Sequence, residues 1–317
     1  MFSVLTSALA SSLRFLATLI PIFAVGVIVA EFLIELGWID RIVWLARPIT
    51  ALGRLRPECG ASFLTAFVSP AAGNSMLVRY HDAGLIGKRE LLIAAIVNTF
   101  PGIVMHWRTM LPVALPLIGV FGLVYYGLLV LVGLIKTGLA LLMGRFFLEA
   151  KDPGGSGARP VEVRARSGLR GALINSVRKS RKTLLRIVRT TVPVTVTMFL
   201  LIGAGVFDRL NDRLEFLTAY VPLPPEALSI VVTRIGSNIG ALTVAGSLLS
   251  AETVAGRDIV LALLIGNILA SGVNLRYLIP YYFGIFGAPF GTRVLALSMG
   301  LRIVVMLSVI GALFVLW

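Results

Sequence analysis

Four asparagines stand beside interruptions in otherwise apolar sequence. Asn74 lies in Pro70-Ala-Ala-Gly-Asn-Ser75 and Asn98 opens Asn98-Thr-Phe-Pro-Gly102. Asn238 lies in Arg234-Ile-Gly-Ser-Asn-Ile-Gly240, and Asn267 opens Asn267-Ile-Leu-Ala-Ser-Gly-Val-Asn274. A carboxamide both donates and accepts hydrogen bonds. Where Pro or Gly interrupts a helix, backbone amides and carbonyls lose their partners. Asn74, Ser75, Asn98, Thr99, Ser237, Asn238, Asn267 and Asn274 therefore form a candidate binding set for a small polar solute, with non-covalent chemistry. Two other readings stand beside it: each Asn caps its own broken helix, or the Gly and Pro residues serve close helix packing.

Charged residues inside apolar runs form a second set of candidates. Glu31 and Glu35 lie one helical turn apart, and their counterparts 168 residues on are Phe199 and Gly203. An intramembrane carboxylate is a candidate proton or cation site. Glu31 is the coupling-ion candidate; the alternative is that both carboxylates lie near the interface or pair with an Arg, and for Glu35 that alternative is favoured. Arg302 is expected to pair with a carboxylate or meet an anionic solute, and Lys136 to snorkel to the cytoplasmic face. One Cys and two His, His81 and His106, leave no metal centre and no disulfide to build. No cofactor is implied. No motif concentrates a nucleophile with an acid or base in reach, so an enzyme is not expected; intramembrane lipid processing is the weakest alternative.

The elements that position these residues are membrane helices. Apolar residues make up 57% of the 317, and only 14% are charged, against about a quarter in soluble domains. Runs such as Phe15–Ala30, Leu184–Phe207 and Val294–Trp317 approach the roughly 20 residues a helix needs to cross a bilayer. They lack the alternation of barrel strands. The first run is read as retained rather than as a cleaved signal, because no basic segment opens the chain.

The net charge of +14 is concentrated in one place. Residues 145–189 carry twelve Lys/Arg against three Asp/Glu. This is a basic linker, assigned to 146–183, placed in the cytoplasm by the positive-inside rule and expected to lie on anionic lipid headgroups rather than to bind nucleic acid. It separates two halves, 1–145 and 184–317, that resemble each other. Gly37-Trp-Ile-Asp-Arg41 matches Gly205-Val-Phe-Asp-Arg209 at an offset of 168, as do Arg108 to Pro112 and Arg276 to Pro280. Asn98 pairs with Asn267 at 169 and Asn74 with Asn238 at 164, which implies short insertions. The segment 38–60 carries four Arg against two acidic residues, whereas 205–226 carries two Arg against four. Opposite loop charge implies opposite orientation. The expected fold is an all-α polytopic membrane protein of two inverted-topology repeats, with re-entrant hairpins, broken helices, and both termini outside.

The run Pro70-Ala-Ala-Gly-Asn-Ser-Met76, with Gly84-Leu85, Arg89-Glu90 and Asn98-Thr-Phe-Pro-Gly102, resembles the Gate, or nucleoside-recognition, family. That family includes the membrane part of ferrous-iron transport protein B, sporulation maturation proteins A and B, and relatives of concentrative nucleoside transporters. The resemblance covers two Gate units, about 11–145 and 184–317; the second lacks the hairpin-tip Pro and has Arg234 nearby. No phosphate-binding GTPase loop is present. The resemblance implies a plasma-membrane transporter or transporter-like core for a nucleoside-like compound or a cation, bound at the bilayer midplane. The alternative is a non-transporting module that assembles with a partner membrane protein or with itself, as the sporulation proteins suggest.

Overall fold

The computed structural model describes residues 51–68, 70–148 and 223–316 continuously, together with scattered positions in 6–28 and 169–200. Glu31, Glu35, most of the linker and the segments 38–50 and 205–222 lie outside the described residues. Among the described residues the secondary structure is helical, with no strand.

From Pro57 two short helices follow each other, α1 (Pro57–Val68) and α2 (Pro70–Asp82). Proline suits the first turn of each, where the amide it lacks would have no helical partner anyway. The two fold back on each other. Gly73 makes this possible: a Cβ there would sit 2.7 Å from the Ser62 carbonyl oxygen. Ser62 Oγ donates to the Gly73 carbonyl at 2.8 Å, closing the same contact. Helices α3 (Lys88–Val97), α4 (Thr99–Met105) and α5 (Trp107–Ile118) follow. The α3–α4 segment and α5 are bent by 41° at His106. Asn98 separates α3 from α4, because Pro101 has no N–H to give the Val97 carbonyl four residues earlier. Helix α6 (Val120–Phe147) is 28 residues long and strongly apolar.

The second half has α7 (Pro225–Gly236), α8 (Asn238–Ser250), α9 (Gly256–Phe286) and α10 (Ala288–Leu316). α6 and α10 are each long and apolar enough to cross a membrane, at roughly 1.5 Å per residue. α1, α2, α7 and α8, at 12 or 13 residues each, reach only about 20 Å and fall short of the roughly 30 Å hydrocarbon core.

Helix starts recur at one constant spacing. Pro57 and Pro225 open α1 and α7, 168 residues apart (225 minus 57). The same difference separates Pro70 from Asn238, Lys88 from Gly256 and Val120 from Ala288. It also separates two pairs of positive-φ residues, Gly84 from Glu252 and Gly119 from Gly287. The insertions inferred from the Asn pairings are therefore absent over this region. At an offset of 168, Asn74 faces Leu242 in the alignment and Asn98 faces Gly266.

The expected break at 267–274 is also absent, since α9 runs unbroken from Gly256 to Phe286. Unlike Asn98–Gly102, this segment contains no proline. Its Ser271 hydroxyl returns to the Asn267 carbonyl within the helix at 3.0 Å.

The halves are packed through each other. One core joins α7, α8 and the first part of α9 to α5, the start of α6 and the end of α10. The other joins α1–α3 to the end of α6, Tyr282 of α9 and the start of α10. Each hairpin is thus covered by the long helices of both halves.

Candidate functional site

Among the described residues, two groups of buried polar side chains bond to one another across helices. The first surrounds the α1–α2 hairpin. Asn98 donates from Nδ2 to Ser62 Oγ at 2.7 Å and to Asn74 Oδ1 at 3.2 Å. Asn74 Nδ2 in turn donates to the Tyr281 hydroxyl of α9 at 3.1 Å. Ser62, Asn74 and Asn98 are almost fully buried. Asn98 Oδ1 is buried with no hydrogen-bond partner, and such an acceptor costs about 1–3 kcal/mol when left unmet.

The second cluster lies where α6, α7, α9 and α10 meet. Asn267 Nδ2 donates to the Tyr125 hydroxyl at 3.3 Å, and Arg302 donates from a terminal guanidinium nitrogen to Asn267 Oδ1. One turn before Arg302 on α10, Ser298 accepts from Lys136 Nζ at 2.9 Å. Lys136 is only 2% exposed. The expected snorkelling does not occur: its position in α6 faces α10 rather than an end of the span, and Ser298 receives its ammonium. Arg234, in the last turn of α7, packs its stem on α9, where a Cβ on Gly266 would lie 2.6 Å from Arg234 Cβ. Its Nε is buried without a partner, and so is Asn238 Oδ1 just beyond the break at Ser237.

The four asparagines do not share one site. Asn74 and Asn98 bond to each other, whereas Asn267 bonds to Tyr125 and Arg302. Tyr281 and Asn267 are 14 residues apart on the same helix (281 minus 267), about 21 Å along its axis. The remaining candidates disperse. Ser75 and Asn274 are exposed. Thr99 Oγ1 donates to the Ile96 carbonyl at 2.6 Å, and Ser237 Oγ caps α8 by accepting from Gly240 N at 3.0 Å. Both bond to local backbone.

Tyr125, Tyr281, Lys136, Ser298 and Arg234 complete these clusters, and reading the Asn-centred breaks passed over most of them as site residues. For Lys136 and Arg302 the signal was present: each is a cation well inside the ends of an apolar helix. Ser62, Tyr125 and Tyr281 carry no such signal, because single Ser and Tyr residues are ordinary in membrane helices.

Glu90 has a structural task. Its Oε1 accepts from Arg56 N, just ahead of α1, at 2.8 Å, and its Oε2 lies 3.7 Å from Arg56 Nε. Cys59 is buried beside it. Burial first, then Glu90 and Glu58, push the Cys59 thiol well above its usual range. His81 Nδ1 meets the Ile86 carbonyl and His106 Nδ1 the Gly102 carbonyl. Among the described residues no group of His, Cys, Asp and Glu could hold a metal ion.

Long apolar helices, short folded-back pairs and buried polar groups define a polytopic α-helical membrane protein. The signature of the Gate family, described as nucleoside recognition, matches residues 16–121. Three proteins of Methanocaldococcus jannaschii are similar over nearly their whole lengths. Uncharacterized protein MJ1556 is 31% identical over 96% of this chain and 96% of its own. Uncharacterized protein MJ0880 is 24% identical over 94% of this chain and 97% of its own. Uncharacterized protein MJ0871 is 23% identical over 92% and 90% respectively. No solved structure gives a significant match. The chain belongs to the Gate, or nucleoside-recognition, family.

Proposed function

We propose that the protein is a transport core for a small polar solute, built from two inverted-topology repeats, 1–145 and 184–317, around the cytoplasmic linker 146–183. The observation that carries this reading is the cluster of Lys136, Ser298, Asn267, Tyr125 and Arg302, drawn from both halves, with four of its five members inside α6 and α10, the helices fit to cross a membrane. Ionisable groups there are expensive and mark solute pathways. The helix starts spaced by 168 support the repeat. The folded-back pairs α1–α2 and α7–α8 are too short to span, which supports re-entrant hairpins, and the opposite charges of 38–60 and 205–226 support inversion. Glu31 is the coupling carboxylate in this scheme.

Uptake into proteoliposomes tests it, with a nucleoside and small organic acids as labelled probes. Uptake by the wild type that falls at least tenfold in Asn267→Ala, with the variant still folded, is the expected result. Absence of uptake of every probe by well-folded protein in both orientations would overturn it. Glu31→Gln is expected to abolish dependence on the ion gradient while leaving solute binding.

A further inference from the structure

We infer that the solute is an anion, a carboxylate or phosphate group held by Lys136, Arg234 and Arg302. This rests on the transport reading and deepens it by naming the charge of what is bound. The three cations converge through α9 and α10. Arg234 packs on Gly266, the next residue, Asn267, accepts from Arg302, and Ser298 one turn away holds Lys136. Like charges in an apolar interior repel strongly and are retained only against a counter-charge.

Among the described residues, the elements around the cluster supply none. Helices α6, α8 and α10 contain no Asp or Glu. In α9 the one acidic residue, Asp258, lies in the first turn beside Arg257, and in α7 the one acidic residue, Glu226, lies in the first turn, eight residues before Arg234 (234 minus 226). Among the described residues the ion pairs are Arg56–Glu90 and Arg257–Asp258, and neither touches the cluster. The partners the three cations do have are neutral: a serine hydroxyl for Lys136, a carboxamide oxygen for Arg302, and nothing at Arg234 Nε.

The break before α8 adds to the field. Arg234 lies in the last turn of α7 and Ser237, three residues on, caps α8, so the positive dipole end of α8 begins close to Arg234 in the chain. Asn238 Oδ1, buried and unmet at the same break, is an acceptor. It suits a hydroxyl or amino group on the same solute. A cation is disfavoured here by the three positive charges, and a neutral nucleoside leaves them uncompensated.

Thermal unfolding of the full chain in nanodiscs tests this. The probes are inorganic phosphate, citrate, and a nucleoside with and without its 5′-monophosphate, in discs of neutral phosphatidylcholine. Phosphate, citrate or the nucleotide should raise the midpoint by on the order of 5 °C at saturation, and the neutral nucleoside should not. The shift should vanish in Arg234→Gln and Lys136→Met and persist in Arg145→Gln, whose arginine is exposed at the end of α6. Arg234→Gln keeps the test valid if Arg302→Gln fails to fold, because the Arg234 Nε bonds to nothing that folding would lose.

A soluble anion and a lipid phosphate share this chemistry. A midpoint raised by phosphatidylglycerol in the disc, with no further shift from soluble probes, assigns the site to a headgroup and still supports an anion. Three outcomes overturn the inference. One is no anion-dependent shift in the wild type. Another is a shift that survives in Arg234→Gln and Lys136→Met. The third is a shift gained only in Glu31→Gln/Glu35→Gln, which would make the chain's own carboxylates the counter-charge. If the neutral nucleoside raises the midpoint and the anions do not, the anion is wrong while the transport reading stands.

Discussion

Lys136 is the residue whose cost is clearest. An ammonium 2% exposed, with only a serine hydroxyl as partner, retains little of its hydration. Lys136→Met keeps the volume and removes the charge. It should raise the melting midpoint measured without added anion, by an amount corresponding to about 1–4 kcal/mol, even as it abolishes the anion response. A lower midpoint would mean that Lys136 is already neutralised within the chain. Asn98→Ala should move the other way. It removes the donor to Ser62 and Asn74, at a cost of about 1–3 kcal/mol, read as a lower midpoint of thermal unfolding. Cys59 should alkylate slowly in the folded protein at pH 8 and quickly once it is unfolded. Burial and the neighbouring Glu90 and Glu58 raise its pKa, so the reactive thiolate is scarce until well above the usual thiol range. Fast labelling of native protein would contradict that burial.

At the scale of elements, the turns before α6 and α10 depend on glycine. Gly119 has φ 55° and ψ −133°, and Gly287 has φ 75° and ψ 155°. Side chains disfavour these conformations by about 1–3 kcal/mol. Gly119→Ala and Gly287→Ala should each lower stability by that amount, although neither glycine has an atom within 4 Å of a built Cβ. Strain alone is thus being tested. Glu252 has φ 55° at the position matching Gly84, so Glu252→Gly should be neutral or mildly stabilising, by up to about 1 kcal/mol. A stability loss in Glu252→Gly comparable to that in Gly119→Ala would show that the two turns are not under the same backbone constraint.

Across the whole molecule, each hairpin is buried by long helices from both halves. Neither half contains its own complete core. Residues 184–317 expressed alone should therefore be degraded or fail to melt cooperatively, and co-expression with 1–183 should restore a folded complex, read by co-purification. A stable, cooperatively melting isolated half would show the cross-packing to be dispensable. The orientation is checked separately by cysteine accessibility in a Cys59→Ser background. The linker should label from the cytoplasmic side and residue 317 from the other. Labelling of both from one side would remove the inverted arrangement.

Composition, the basic linker and the spacing of 168 were legible because each depends on local residue type or on register, which a chain carries before it folds. The Pro70 and Ser237 breaks were legible for the same reason: proline and glycine act on the backbone within one turn. The long unbroken α9 was not. Gly272 and Asn274 resemble a break in sequence, yet hydrogen bonds within the helix and packing against α7 and α10 keep it whole. Asn74, Asn98 and Asn267 are buried, but matching like residues across the halves paired positions one and four places out of register. Only the tertiary structure decides which polar groups meet, because partners such as Asn74 with Tyr281 or Lys136 with Ser298 lie more than 150 residues apart. A cation in an apolar helix declares its cost in the sequence; what it faces is set by the helix packed against it.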